Sequence, residues 1–188
     1  MATYTFRKSV LTKPETYSVT EDGLGYTFDG VNFANCPYQN IKSLRLIYFP
    51  TRLKTNNYCC EITLNVPKDL RIKIPSISYV SFGDFKDEAK SYSEFVKKLT
   101  NQISYANPFC KFYAGKPIWK FILENTLILL FLSFLFWLLS AFISAISGII
   151  VLRIFIVGLS LYYIIKAFTI NLPKEFHPLA IPEKLLPL

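Results

Sequence analysis

The sequence predicts an α+β fold in two parts: about seven short antiparallel strands with one C-terminal helix, then a transmembrane α-helical hairpin. Residues 3–82 alternate aromatic and β-branched runs with turn residues, which is typical of consecutive strands. Residues 85–104 change to helical spacing, and residues 121–165 contain only Glu124 and Arg153 as charged groups. With 52% hydrophobic and 18% charged residues, the composition excludes a disordered chain and a long coiled coil.

The strands are bounded by glycine, proline and acidic turn residues. Asp29-Gly30 is a strong hairpin signal because glycine readily adopts a positive φ, and Glu21-Asp22-Gly23 predicts a second turn. The predicted strands are residues 4–10, 16–20, 24–28, 31–36, 41–48, 58–66 and 70–77.

The helix predicted over residues 85–104 is amphipathic. Its apolar side chains recur three and four residues apart, which places them on one face. Asp84 or Asp87 is expected to cap the first turn, and Asn107-Pro108 to end the helix. The apolar face is formed by Ala89, Tyr92, Phe95, Val96, Leu99 and Ile103.

This order of elements is the chain order of a pleckstrin-homology-like domain. The stretch Pro37-Tyr-Gln-Asn-Ile-Lys-Ser-Leu-Arg45 resembles a segment of bacterial pleckstrin-homology-like and related lipid-binding domains, and Tyr92-Ser-Glu-Phe-Val-Lys-Lys-Leu99 is similar to the helix that closes one end of their barrel. With two membrane spans following, the layout resembles bacterial membrane proteins of this type. The resemblance implies an antiparallel β-barrel or sandwich that acts as a binding module, with no catalytic residues to carry over.

The apolar run is long enough for two membrane passes. One continuous helix over its 45 residues would measure about 68 Å, roughly twice the hydrocarbon core, so two helices (118–143 and 149–170) joined near Gly148 fit better. The predicted organisation is residues 1–107, a cytoplasmic domain; 108–117, a juxtamembrane linker; 118–170, the two-helix hairpin; and 171–188, a proline-rich cytoplasmic tail.

Charge predicts the topology. Half of the formal net charge of +8 comes from residues 108–188, and lysines near span ends are retained in the cytoplasm. We therefore expect a multi-pass protein of the inner (plasma) membrane, with both termini cytoplasmic and no cleavable signal peptide. No motif indicates nucleic-acid binding. The lysines beside the apolar run are Lys111, Lys116, Lys120, Lys166 and Lys174.

Several residues are candidates for contacts of the hairpin. Glu124 is predicted to pair with Lys166 across the two passes; pairing with Lys120 or solvation among headgroups are the alternatives. Arg153 either reaches the far headgroups or makes a polar contact inside an assembly. Small residues allow close approach of a second backbone, either between the two passes or in self-association. These small residues include Ser140, Ser144 and Gly148.

A basic set, Lys42, Arg45, Arg52 and Lys54, surrounds one strand-loop-strand unit. It is either a solvated loop or a surface for anionic lipid or a partner, because cations near an anionic leaflet are stabilised there.

Nothing in the sequence predicts catalysis. The four cysteines are expected to be reduced thiols, since adjacent Cys59 and Cys60 would point to opposite faces of a strand. The one histidine, His177, lies in the tail, and no nucleotide, zinc or calcium motif occurs. We expect neither an enzyme nor a cofactor or metal.

The tail combines four prolines with apolar residues, so we expect it to dock, on its own N-terminal domain rather than on a partner. The predicted function is a membrane-tethered binding or scaffolding module that acts through protein or anionic-lipid contacts. The alternative is a small accessory subunit of a membrane transporter or secretion complex. The predicted partners are the lipid bilayer and either a membrane protein or a second copy of the chain.

Overall fold

A computed structural model describes residues 2–28, 32–49, 57–65, 70–81, 84–142, 157–158, 161–162, 165 and 172–187. The chain divides into two compact units, Met1–Gly115 with Lys174–Leu188, and Lys116–Pro173. Two α-helices have described bounds, α1 (Ala89–Ala106) and α2 (Ile118–Phe142), and residues 157–158, 161–162 and 165 are helical as well. The strands in the described part are β1 (Ala2–Phe6), β2 (Glu15–Val19), β3 (Gly23–Phe28), β4 (Asn32–Pro37), β5 (Ile41–Phe49), β6 (Asn57–Leu64), β7 (Arg71–Pro75), β8 (Ile77–Ser81), β9 (Asp84–Asp87), β10 (Lys111–Ala114) and β11 (Lys174–Glu175).

The first sheet is an antiparallel meander in the order β1-β2-β3-β4. The turn predicted at Glu21-Asp22-Gly23 is confirmed between β2 and β3, where the Thr20 hydroxyl donates to the Gly23 carbonyl at 2.7 Å. Glycine is required at position 23, because a Cβ there would lie 2.4 Å from the Cys36 carbonyl oxygen on β4. The Asp29-Gly30 hairpin signal lies outside the described residues.

The second sheet has the order β11-β10-β5-β6-β7. Strands β5, β6 and β7 are antiparallel neighbours, β10 joins β5 in parallel, and β11 pairs with β10 so that Lys174 lies opposite Ala114. Strands β5, β7 and β10 therefore run in the same direction and finish at the same end of the sheet. Gly115 follows β10 with a φ of 77°, and its N–H donates to the Leu46 carbonyl at 2.8 Å. The chain leaves this sheet at Gly115 and rejoins it at Lys174.

A small third sheet pairs β8 with β9, and α1 follows directly. The apolar face predicted for α1 is confirmed, since Tyr92, Phe95, Val96, Leu99 and Ile103 are buried. The helix begins at Ala89 rather than at residue 85, because the preceding residues pair in β9. The N-cap residue is Glu88, which makes no side-chain capping bond, and Asp84 lies in β9. The Asp87 carboxylate, one residue before the N-cap, accepts from the Ala89 N–H at 3.0 Å.

Aromatic side chains join the first sheet to α1. The ring of Tyr4 lies 5.8 Å from that of Tyr92 and 5.7 Å from that of Phe95. Phe6 and Tyr17 stack at 5.8 Å on the same buried face. The Tyr4 hydroxyl donates to the Pro75 carbonyl at 2.7 Å, which ties β1 to the end of β7. One core therefore holds both larger sheets and the helix together.

The tail belongs to the same compact unit, which confirms that it docks on the N-terminal domain. Leu185 and Leu186 are buried in the shared core. The ring of Phe176 lies 5.9 Å from that of Phe112, and the Ser93 hydroxyl donates to the Pro187 carbonyl at 2.8 Å.

The predicted pleckstrin-homology-like barrel is wrong. The described residues form separate sheets of four, five and two strands with no closed barrel. A 3₁₀ turn at Tyr38–Asn40 separates β4 from β5, and β5 pairs with β10 instead of β4. Strand β10 comes from residues predicted to be a linker. Turn residues flank β10 (Asn107-Pro108 and Gly115), but four residues are too few to show a strand pattern, so their pairing could not be read from the sequence.

The predicted transmembrane hairpin is also not what the structure shows. In the described ranges, one helix is long and apolar enough to cross a membrane, over Ile118–Leu135. Most of the second predicted helix, residues 149–170, lies outside the described residues. Hydropathy measures composition and gives no helix boundary, and Gly148 was the only breaker in the predicted turn. The prediction of two spans therefore rested on length alone.

Candidate functional site

An open groove of about 700 Å³ lies beside the tail on the folded unit. Its walls are the end of α1, the turn after it, the start of β10 and the first residues of the tail. The residues that line it include Tyr105, Pro108, Lys111, Phe112, Glu175 and Leu179.

The groove forms where the tail, after pairing antiparallel with β10, turns away from that strand. The Phe176 N–H donates to the Phe112 carbonyl at 3.1 Å, which extends the contact of β11 with β10 by one residue. His177 then begins a turn, in which its carbonyl accepts from the Ala180 N–H at 2.8 Å and its Nδ1 accepts from the Leu179 N–H at 3.4 Å. The only histidine of the chain is thus used to shape the tail.

Large apolar side chains stand exposed around this groove. Phe109, in the turn after α1, is 91% exposed, and Tyr105 and Leu179 are exposed as well. Mixed apolar and charged walls suit contact with a larger surface better than enclosure of a small molecule, since the groove is wide and open.

The structure does not assemble the predicted basic set into one surface. Lys42 is exposed at the start of β5, where the register with β6 shifts between Ile41 and Ser43. Arg52 and Lys54 lie outside the described residues. Arg45 is partly buried and makes specific contacts within the sheet.

Arg45 contacts the residues at which the chain leaves the second sheet. Its guanidinium lies over the Tyr113 ring, 4.6 Å from the centroid, and donates to the Gly115 carbonyl at 3.2 Å. Burial lowers the pKa of Arg45 from its ordinary value, and the nearby Glu61 carboxylate opposes that change. Glu61 is itself buried and lies 3.7 Å from the Arg71 guanidinium. These contacts give Arg45 a positioning role at the exit of β10.

Glu124 contacts a partner that the sequence did not suggest. Its carboxylate pairs with the Lys116 ammonium, eight residues earlier and just before α2. Its predicted partner Lys166 lies outside the described residues, as do Ser144, Gly148 and Arg153. Ser140 falls in the last turn of α2.

The polar groups of α2 are concentrated at its beginning. The Asn125 side chain donates to the Phe121 carbonyl at 2.7 Å, so this amide is satisfied within the helix. From residue 127 to residue 142 the sequence contains no charged side chain. With its 25 residues α2 is about 38 Å long, enough for a hydrocarbon core of about 30 Å.

The cysteines are buried and free, which confirms that none forms a disulfide. Burial raises the pKa of the Cys59 and Cys110 thiols to about 12, and it raises the pKa of Cys36 and Cys60 as well. These thiols stay protonated at neutral pH, and a protonated thiol is a poor nucleophile and metal ligand. Among the residues that the structure describes, no group of three or more His, Cys, Asp or Glu could hold a metal ion.

Asn107 has a larger part than the sequence indicated. It follows α1, as predicted for a residue that ends the helix, but its buried side-chain amide also donates to the Tyr38 carbonyl at 3.1 Å and the Ile41 carbonyl at 2.9 Å. It thereby joins the end of α1 to the turn before β5. In the sequence, only the Asn107-Pro108 pair indicated that the helix ends here, and nothing indicated the hydrogen bonds to the turn before β5.

Comparison with protein families, with curated proteins and with solved structures finds no match to this chain. The resemblance to pleckstrin-homology-like membrane proteins rests on its two short sequence stretches alone.

Proposed function

We propose that this chain is a membrane-anchored binding or scaffolding module. The observation that carries the proposal is the place of the apolar segment: it is inserted into a folded unit between β10 and β11, which pair side by side. Because β10 and β11 are neighbours, both ends of the apolar segment are attached to the same sheet. Insertion of that segment into a bilayer would hold the folded unit at the lipid surface.

The side chains of α2 support a lipid environment. Leu130 and Phe131 are 62% and 64% exposed, and Trp137 is exposed too. A contiguous apolar surface of this extent is rare on soluble proteins and is stabilised in hydrocarbon.

The proposed location is the cytoplasmic face of a plasma membrane. Lys116 and Lys120 lie at the start of the apolar segment and Lys174 follows it, which is the arrangement favoured on the cytoplasmic side. Four free thiols suit a reducing compartment.

Membrane fractionation of the full-length chain tests the anchor. We expect the protein in the membrane fraction, resistant to an alkaline carbonate wash and released by detergent. The double variant Leu130→Arg/Phe131→Arg should leave that fraction, since one arginine at a helix centre costs about 2.5–3.5 kcal/mol for insertion. The matched control Tyr105→Arg/Phe109→Arg adds the same charge to exposed positions of the folded unit and should stay in the membrane. Wild-type protein that is water-soluble without detergent would overturn the proposal.

Co-purification from native membranes after cross-linking tests the binding role. For a binding module, we expect several cross-linked proteins in small amounts, or contacts that change with the lipid composition. A membrane protein recovered at fixed stoichiometry would instead identify the chain as an accessory subunit of that complex.

A further inference from the structure

The loop between β1 and β2 presents apolar side chains to solvent. Leu11 is 96% exposed, more than any other large hydrophobic residue in the described part of the chain, and Val10 beside it is 59% exposed. Because folding normally removes such side chains from water, their position at a loop tip calls for a partner surface.

The loop is held in this shape by its own hydrogen bonds. The Arg7 guanidinium donates to the Thr12 carbonyl at 2.9 Å and to the Val10 carbonyl at 2.5 Å. The Ser9 N–H donates to the Thr12 hydroxyl at 3.0 Å. These bonds satisfy the loop backbone from within, so that Val10 and Leu11 are directed away from the domain as part of a defined structure.

Positive charge flanks the tip. Arg7, Lys8 and Lys13 lie on either side of it, and Glu15 is the only acidic residue in the sequence from residue 7 to residue 15. Glu15 is buried and pairs with Lys8 at 2.7 Å. An apolar tip between cations is complementary to an anionic lipid surface, whose headgroups attract the cations and whose acyl region accepts the apolar side chains.

The strand that leads into the loop contacts the segment that follows β7 of the second sheet. Strand β7 finishes at Pro75 at the same end as Gly115, because β7 and β10 run in the same direction. Shortly after Pro75, the Tyr79 N–H donates to the Arg7 carbonyl at 2.8 Å. Val80, the next residue, is exposed as well.

We propose that the loop Arg7–Lys13 docks on the anionic surface of the membrane that anchors the chain. Val10 and Leu11 enter the boundary between headgroups and acyl chains, while the net positive charge of the loop and its flanks, +2 from Arg7, Lys8 and Lys13 against Glu15, faces the headgroups. This inference rests on the proposed membrane anchor, and it adds a second contact between the folded unit and the bilayer.

The test uses the full chain reconstituted in nanodiscs that contain phosphatidylcholine with phosphatidylglycerol. An environment-sensitive fluorophore is attached to Leu11→Cys, and its quenching by spin-labelled lipid is measured. The control is Asp22→Cys, an exposed position in the β2–β3 turn at the other end of the same sheet. The four native thiols are buried, and labelling of wild-type protein measures their background.

We expect lipid quenching at position 11 and none at position 22. Replacing phosphatidylglycerol by phosphatidylcholine should weaken the loop's association about fivefold for each cation that meets the surface. Equal quenching in both lipids would overturn the role of the cations. An unquenched fluorophore on protein that remains in the nanodisc would overturn this inference and leave the anchor standing, and shielding from aqueous iodide in that case would identify a protein contact. Failure of the chain to enter nanodiscs would overturn the anchor itself.

Discussion

The tail and helix α2 are both rich in apolar residues, yet their surroundings are opposite. Leu185 and Leu186 of the tail are buried in the core of the folded unit, whereas Leu130 and Phe131 of α2 are exposed. The difference follows from how each segment arranges its apolar residues. The tail carries its apolar side chains in short groups between prolines, so that a domain can accept them one group at a time. Helix α2 is apolar on all sides, and such a helix needs an apolar solvent or complete enclosure.

The largest expected effect comes from breaking the tail's contacts. Leu185→Ala and Leu186→Ala should each lower the free energy of unfolding of the detergent-solubilised protein by about 2–5 kcal/mol, because each removes a buried side chain and leaves a cavity. Chemical unfolding followed by circular dichroism measures this. Leu179→Ala is the matched control, because it removes the same atoms from an exposed position of the tail and should have little effect. Equal stability of all three variants would show that the tail does not dock.

A second effect, the dependence of stability on pH, separates the folded unit from the apolar segment. All four cysteines lie in the folded unit and none in residues 116–173. Burial raises the pKa of Cys59 and Cys110 from 9.0 to about 12, so these thiols are protonated in both states below pH 9 and ionise first in the unfolded state above it. The unfolded state then gains stability, and each thiol should cost the fold about 1.4 kcal/mol at pH 10.

The loss is measured as the difference between the free energies of unfolding at pH 8 and at pH 10. Cys110→Ala should reduce the difference in the free energy of unfolding between the two pH values by the contribution of one thiol. A stability that does not change between the two pH values would contradict the buried, protonated state of these cysteines.

The smallest expected effect is in α2. Leu130→Ala should change the free energy of unfolding of the folded unit by less than about 0.5 kcal/mol, since an exposed side chain leaves no cavity behind it. The same assay as for the tail variants applies, so the two leucine substitutions can be compared directly. A loss as large as that of Leu186→Ala would show that α2 is part of the folded core and would remove the contrast between the segments.

Local sequence patterns were sufficient to predict some elements of the fold. The spacing of Tyr92, Phe95 and Leu99 predicted the buried face of α1, and Asn107 follows the helix as expected of a residue that ends it. The apolar, proline-containing tail was correctly predicted to dock. In each case the information lies within a few neighbouring residues, because helix periodicity, caps and the need for burial are properties of short stretches.

Contacts between distant residues were not predictable in this way. Arg45 was predicted to belong to a basic set around a strand-loop-strand unit, but its guanidinium binds the Gly115 carbonyl 70 residues later. Lys116 pairs with Glu124 because the chain turns just before α2, a geometry that spacing alone does not show. The barrel prediction was wrong for the same reason, since it assigned pairing by strand order.

The sequence by itself determined which segments avoid water, where α1 forms, and that the cysteines are reduced and the tail is bound. Only the tertiary structure decided that β10 and β11 complete the sheet beside β5, that the apolar segment interrupts a folded unit, and that Leu11 stands at an ordered loop tip. The physical reason is that apolar burial and backbone periodicity are encoded locally, whereas strand pairing depends on which edges the rest of the fold leaves open.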